Sequence, residues 1–139
     1  MFDVVTGINW IGLLLVTVVN FIFAGFYFGV VIEKLYVNAL GSENEPKQKP
    51  SGLMIVGPAV CGLFITLTSA MLIKMLNIQT LLDALVFGVT VGIGYLIPMT
   101  MTVAINPNFP RPFFYTAINA PYFLISSLVT TVILVNIHL

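Results

Sequence analysis

The sequence predicts an all-α, polytopic membrane protein: four transmembrane helices in an antiparallel bundle, forming one domain over residues 1–139. Three observations predict this. The chain is 59% hydrophobic and only 7% charged, whereas a soluble domain carries about 25% charged residues to face water. The mean hydropathy is +1.08. The apolar residues also fall into four runs, each reaching the roughly 20 residues that a bilayer span requires.

The first span is expected over residues 8–32, with Thr6 and Asn9 able to cap its start and Trp10 at an interfacial aromatic position. The leading segment carries Asp3 and no Lys or Arg, so it lacks the positive region of a cleavable signal and is expected to be a retained helix. Residues 41–52, GSENEPKQKPSG, hold acids, bases and two prolines without an apolar side chain, and read as a flexible polar connector. The second span is expected over 53–76, with Pro58 near its beginning and Lys74 near its end, where the ammonium snorkels to the headgroups.

A four-residue connection, residues 77–80, favours antiparallel neighbours. Thr80 and Asp83 then form a capping-box pattern, with Asp in place of the usual Glu. The third span is expected over 81–105, kinked or locally unbonded at Pro98. Pro107, Pro110 and Pro112 make residues 106–112 a firm break. The fourth span is expected over 113–137, with Pro121 in its first half and His138 at the terminal interface.

Lys34, Lys47, Lys49 and Arg111 fall on one side of such a bundle and Lys74 on the other. The positive-inside rule therefore places both termini outside the cytoplasm of a cell-membrane protein, and the 41–52 loop within it.

The informative residues are polar ones at membrane depth. At 100° per residue, Asn9, Asn20, Tyr27 and Lys34 share one face of the first helix, within about 40°. Asn119, Ser126 and Thr130, with Tyr122 nearby, make a similar stripe on the fourth. Gly88, Gly92, Tyr95, Met99 and Thr102 line one face of the third. Gly25 to Gly29 and Gly88 to Gly92 are GxxxG spacings, which let another helix approach closely, from the same chain or from another copy.

The missing chemistry is also informative. Five basic and five acidic side chains give zero net charge, with no footprint for nucleic acid. Cys61 is the only cysteine and sits in an apolar run, where a small core-facing hydrophobe is the plainer reading. No acid or Arg lies near a span centre, as pumps and voltage sensors usually require. No metal cluster, hydrolase triad or phosphate loop is present, so no cofactor and no catalysis is expected.

Several of these residues resemble a family. Asn9-Trp10, then Gly25-Phe26-Tyr27-Phe28-Gly29, then Lys34 and Tyr36, are similar to the opening of domain of unknown function 1761. Thr80 to Ala84, Gly88, Gly94-Tyr95, the 106–112 break and Ala117 to Tyr122 follow in the order of that family. The resemblance implies a small four-helix bacterial membrane protein and no particular activity. The chain departs from the family pattern at Phe26, where Trp is expected, and at Pro110, which precedes the basic Arg111. It also has Asn119 where relatives often carry an acid.

Two functions follow. The leading one is a helix-packing or interaction module in the bilayer, forming a homo-oligomer or an accessory of a larger membrane complex. The alternative is a small transporter or channel for a neutral or weakly polar solute, lined by Asn20, Tyr27, Tyr95, Asn119 and Tyr122. A polar residue such as Asn20 serves either reading: an interhelical hydrogen bond on the order of 1 kcal/mol, or a wall of a pathway.

Overall fold

The computed structural model describes residues 2–46 and 51–137, and these contain helices and no strand. His138, Lys47 and Lys49, invoked above for the terminal interface and for orientation, lie outside the described residues.

The first apolar run forms a short helix, α1 (Phe2–Thr6), and then α2 (Trp10–Phe26). Asn9 is the N-cap of α2, its side chain accepting from the Gly12 amide at 2.9 Å. The span ends in a π-turn, Tyr27–Val31, and the chain breaks at Ile32 before continuing as α3 (Glu33–Ala39). α4 (Gly52–Met75) is capped by Ser51. Pro58 is its seventh residue, deeper than the first turn where a proline is best tolerated. α5 (Leu81–Val91) leads through a second π-turn, Gly92–Leu96, into α6 (Ile97–Ala104). α7 (Pro112–Asn136) is the last helix and runs unbroken through Pro121. Among the described residues, four helical stretches are long and apolar enough to cross a membrane: Trp10–Val31, Gly52–Met75, Leu81–Ala104 and Pro112–Asn136.

Helix ends carry their expected chemistry. Thr80 Oγ1 accepts from the Asp83 amide at 3.1 Å, as a capping box requires. The carboxylate returns the bond by accepting from the Thr80 hydroxyl at 2.7 Å. α3 and α4 both close in Schellman motifs. Gly41 takes a left-handed φ of 68° in the first, and Asn77 a φ of 53° in the second. Ser42 and Gly41 amides reach Val37 and Asn38 carbonyls, while Ile78 and Asn77 amides reach Ile73 and Lys74. A Cβ at Gly41 would also lie 2.9 Å from Pro110 Cγ, so this turn is fitted to the 106–112 linker.

The kink expected at Pro98 takes the form of the second π-turn. Its wider loop, closed by the Ile97 amide on the Gly92 carbonyl, removes the strict four-residue spacing that would drive a proline ring into the carbonyl behind it.

α7 is the hub. It packs on α2, α3, α4, α5 and α6, and its most apolar stretch is 39% buried against 11–17% for the other three spans. Its buried face is polar: Thr116, Asn119, Ser126, Ser127, Thr130 and Thr131, with Val135 at the end. Two apolar clusters lie toward the terminal side, around Ile8, Leu13 and Ala70 and around Ile73, Ala84 and Val135. Trp10, Ile11, Ile22, Leu53 and Phe64 are exposed. This distribution suits lipid as the solvent, because lipid tails give no hydrophobic drive between helices and leave packing and hydrogen bonds to join them.

Candidate functional site

The first apolar segment and α7 meet along a hydrogen-bonded seam, in antiparallel order. Asn9 Nδ2 donates to the Ile137 carbonyl at 2.9 Å. Asn20 Nδ2 donates to Thr130 Oγ1 at 2.8 Å. The Tyr27 hydroxyl donates to the Ile118 carbonyl at 2.8 Å. Tyr36 and Tyr115 hydroxyls lie 3.4 Å apart. Arg111 Nη1 then donates to the backbone and side-chain oxygens of Asn38, and pairs with Glu43 at 3.3 Å. This last contact joins the two connections on the far side of the bundle.

Three of the four residues placed on the polar stripe of the first helix, Asn9, Asn20 and Tyr27, therefore face α7. Lys34 does not; it is exposed, and Tyr36 and Asn38 continue the seam instead. The cause is the π-turn at Tyr27, which needs more residues per turn and shifts the angular register of everything after it.

Aromatic rings thicken the seam. Tyr122 touches Phe23, Tyr27, Phe28 and Phe123, with ring centres 5.4, 5.9, 5.0 and 5.2 Å away. Phe28 continues to Tyr36, Tyr36 to Tyr115, and Tyr115 to Phe109. Burial, then the hydrogen bond and charge of Tyr115, push the Tyr36 phenol well above its ordinary range, so it stays neutral. Asn119 is 2% exposed, and its Nδ2 donates back to the Tyr115 carbonyl of its own helix at 2.6 Å.

The opposite side of α7 meets α5 through glycine. A Cβ at Gly88 would lie 2.6 Å from Thr131 Oγ1, and one at Gly92 would lie 2.6 Å from Ser127 Oγ. The absent side chains let Ser127 donate to the Gly88 carbonyl at 2.8 Å. The other GxxxG spacing behaves differently: a Cβ at Gly25 or Gly29 would meet nothing within 4 Å. Within the chain, then, Gly88 and Gly92 are packing residues and Gly25 and Gly29 are open surface.

Tyr95 stands apart from the other candidate lining residues. It is 68% exposed and borders an apolar groove between α4 and α5 with Phe64, Leu72 and Phe87.

Sequence reasoning missed Ser127, Thr131 and Thr116. The signal was present in the doublets Ser126-Ser127 and Thr130-Thr131, four residues apart. Such doublets put one hydroxyl of each pair toward α2 and the other toward α5. Where α2, α4, α5 and α7 converge they leave a cavity of about 80 Å³, bordered by Asn20, Thr66, Ser69, Tyr122 and Ser126 among others. Among the described residues, no three His, Cys, Asp or Glu side chains gather to hold a metal ion.

No curated protein and no solved structure matches the chain. One family model does, described as protein of unknown function (DUF1761), over residues 11–135. The match runs from the start of α2 to the end of α7 and so takes in both partners of the polar seam. A chain matched over almost its whole length, with the four apolar helices in place, belongs to the DUF1761 family of proteins of unknown function.

Proposed function

We propose that this protein is a helix-packing and interaction module of the bilayer, neither an enzyme nor a carrier, and that its partner is a second copy of itself. The observation that carries the reading is how the polar stripes are used. Asn20, Tyr27 and Ser127 are bonded to neighbouring helices of the same chain, and the cavity left between them is only about 80 Å³. Sites for organic ligands run to roughly 300–1,000 Å³. A bundle whose interior is bonded in this way has a fixed shape to offer a partner. Gly25 and Gly29 supply a face on which another backbone can come close, since α2 leaves them open.

Native mass measurement in mild detergent tests the reading. Wild type is expected as a dimer, and the double variant Gly25→Leu, Gly29→Leu as a monomer of unchanged helicity and melting. A wild type that is strictly monomeric at all concentrations contradicts it.

We also place both termini outside the cytoplasm. In a Cys61→Ala background, a membrane-impermeant maleimide on intact cells should label Gln79→Cys and spare Asn44→Cys. The reverse pattern overturns the orientation.

A further inference from the structure

The small cavity inside the bundle has an unusual wall. Asn20 borders it, and its Oδ1 is buried and accepts no hydrogen bond among the described residues. The neighbouring serine and threonine hydroxyls of α7 do not supply one, because their hydrogens are directed to main-chain carbonyls. Ser126 donates to Phe123, Thr130 to Ser126, and Thr131 to Leu128. An unpaired buried acceptor is destabilising. From α4, Thr66 and Ser69 border the same cavity, and neither makes a hydrogen bond among the described residues. The wall therefore calls for one group that donates to Asn20 and accepts from α4. A hydroxyl does both. No charged side chain borders the cavity, so an ionised head would be left uncompensated at this depth.

Beside the cavity runs the groove between α4 and α5, of about 590 Å³ and bordered by Phe64, Leu72 and Phe87. Ile65, Ser69 and Val91 border both spaces. A single layer of side chains, one of them the Ser69 hydroxymethyl, thus stands between the cavity and a lipid-facing apolar channel.

We propose that this pair of spaces is a binding site for a single-chain amphiphile with a neutral hydroxyl head. The head enters past Ser69 and donates to Asn20 Oδ1, and the alkyl chain lies in the groove between α4 and α5. One water needs roughly 10–15 Å³ of cavity, so about 80 Å³ accepts a hydroxyl and the first carbons behind it but no larger head. The site lies away from Gly25 and Gly29 and stands whether or not the chain dimerises.

The test is equilibrium binding of radiolabelled 1-hexadecanol to the full-length protein in nanodiscs, beside its methyl ether, which accepts but cannot donate. Saturable binding of the alcohol is expected, with the ether weaker by roughly tenfold, the value of one hydrogen bond. Ser69→Leu should close the entry and weaken the alcohol by a similar factor, while Gly25→Leu should leave it unchanged. The wild-type comparison needs no variant to fold. Equal binding of alcohol and ether overturns the proposal, as does a cavity that holds water only, with no saturable binding of either probe.

Discussion

Replacing Gly88 by Leu should separate α5 from α7 and cost about 2–4 kcal/mol, the sum of an overpacking cost of about 1–3 and an interhelical hydrogen bond of about 1. The geometry leaves no cheap escape. A Cβ at this position meets Thr131 Oγ1 at 2.6 Å, which a rotated hydroxyl would relieve, but it also meets Leu128 Cα at 3.1 Å. Backbone gives way only if the helix moves. Such a movement breaks the bond from Ser127 to the Gly88 carbonyl, and it strips Gly92 of its fit against Ser127 and Leu124. Gly94→Leu is the control, because a Cβ there meets nothing within 4 Å. It should leave stability within about 0.5 kcal/mol of wild type, the usual range for a surface change. Reversible unfolding in mixed micelles measures both.

Tyr122→Ala is expected to cost about 2–4 kcal/mol, from four ring contacts worth roughly 0.5–1.5 each and not fully additive. The burial of apolar area contributes little here, since the unfolded side chain already sits in hydrocarbon. What is lost is contact: Tyr122 is the ring through which Phe23, Tyr27 and Phe28 of the first span meet α7. Tyr122→Phe separates the ring from its hydroxyl. That hydroxyl makes no hydrogen bond among the described residues, so the Phe variant should melt with wild type. If Phe and Ala destabilise equally, the ring account fails.

Much of the fold was legible in the sequence because lipid imposes a strong length rule. The four spans agree within a few residues with the observed helices, and the break at 106–112 and the cap at Thr80 fall where their residue types require. The faces were harder to read. Uniform 100° spacing put Asn20 and Tyr27 on one face, which meets α7, but failed at Lys34 because a π-turn leaves no mark in composition. Pro98 signalled a disturbance without revealing that the turn before it would widen. The two GxxxG spacings look alike as sequence, yet among the described residues only Gly88 and Gly92 have a neighbour against them. Their difference comes from the helix opposite, where Ser127 and Thr131 present small side chains to α5. Tyr95 follows Gly88 and Gly92 at helical spacing but lies beyond the start of the second π-turn, and it faces outward.

The seam between the first span and α7 is a hydrogen-bonded joint, and the Asn20–Thr130 contact is its deepest point. A double-mutant cycle with Asn20→Leu and Thr130→Val, read by reversible unfolding in bilayers or bicelles, isolates that contact from the other consequences of each change. A favourable coupling of about 0.6–1.7 kcal/mol is expected, the range for interhelical hydrogen bonds in membranes. Strictly additive effects would contradict the joint and return Asn20 to the role of a side chain lining a path.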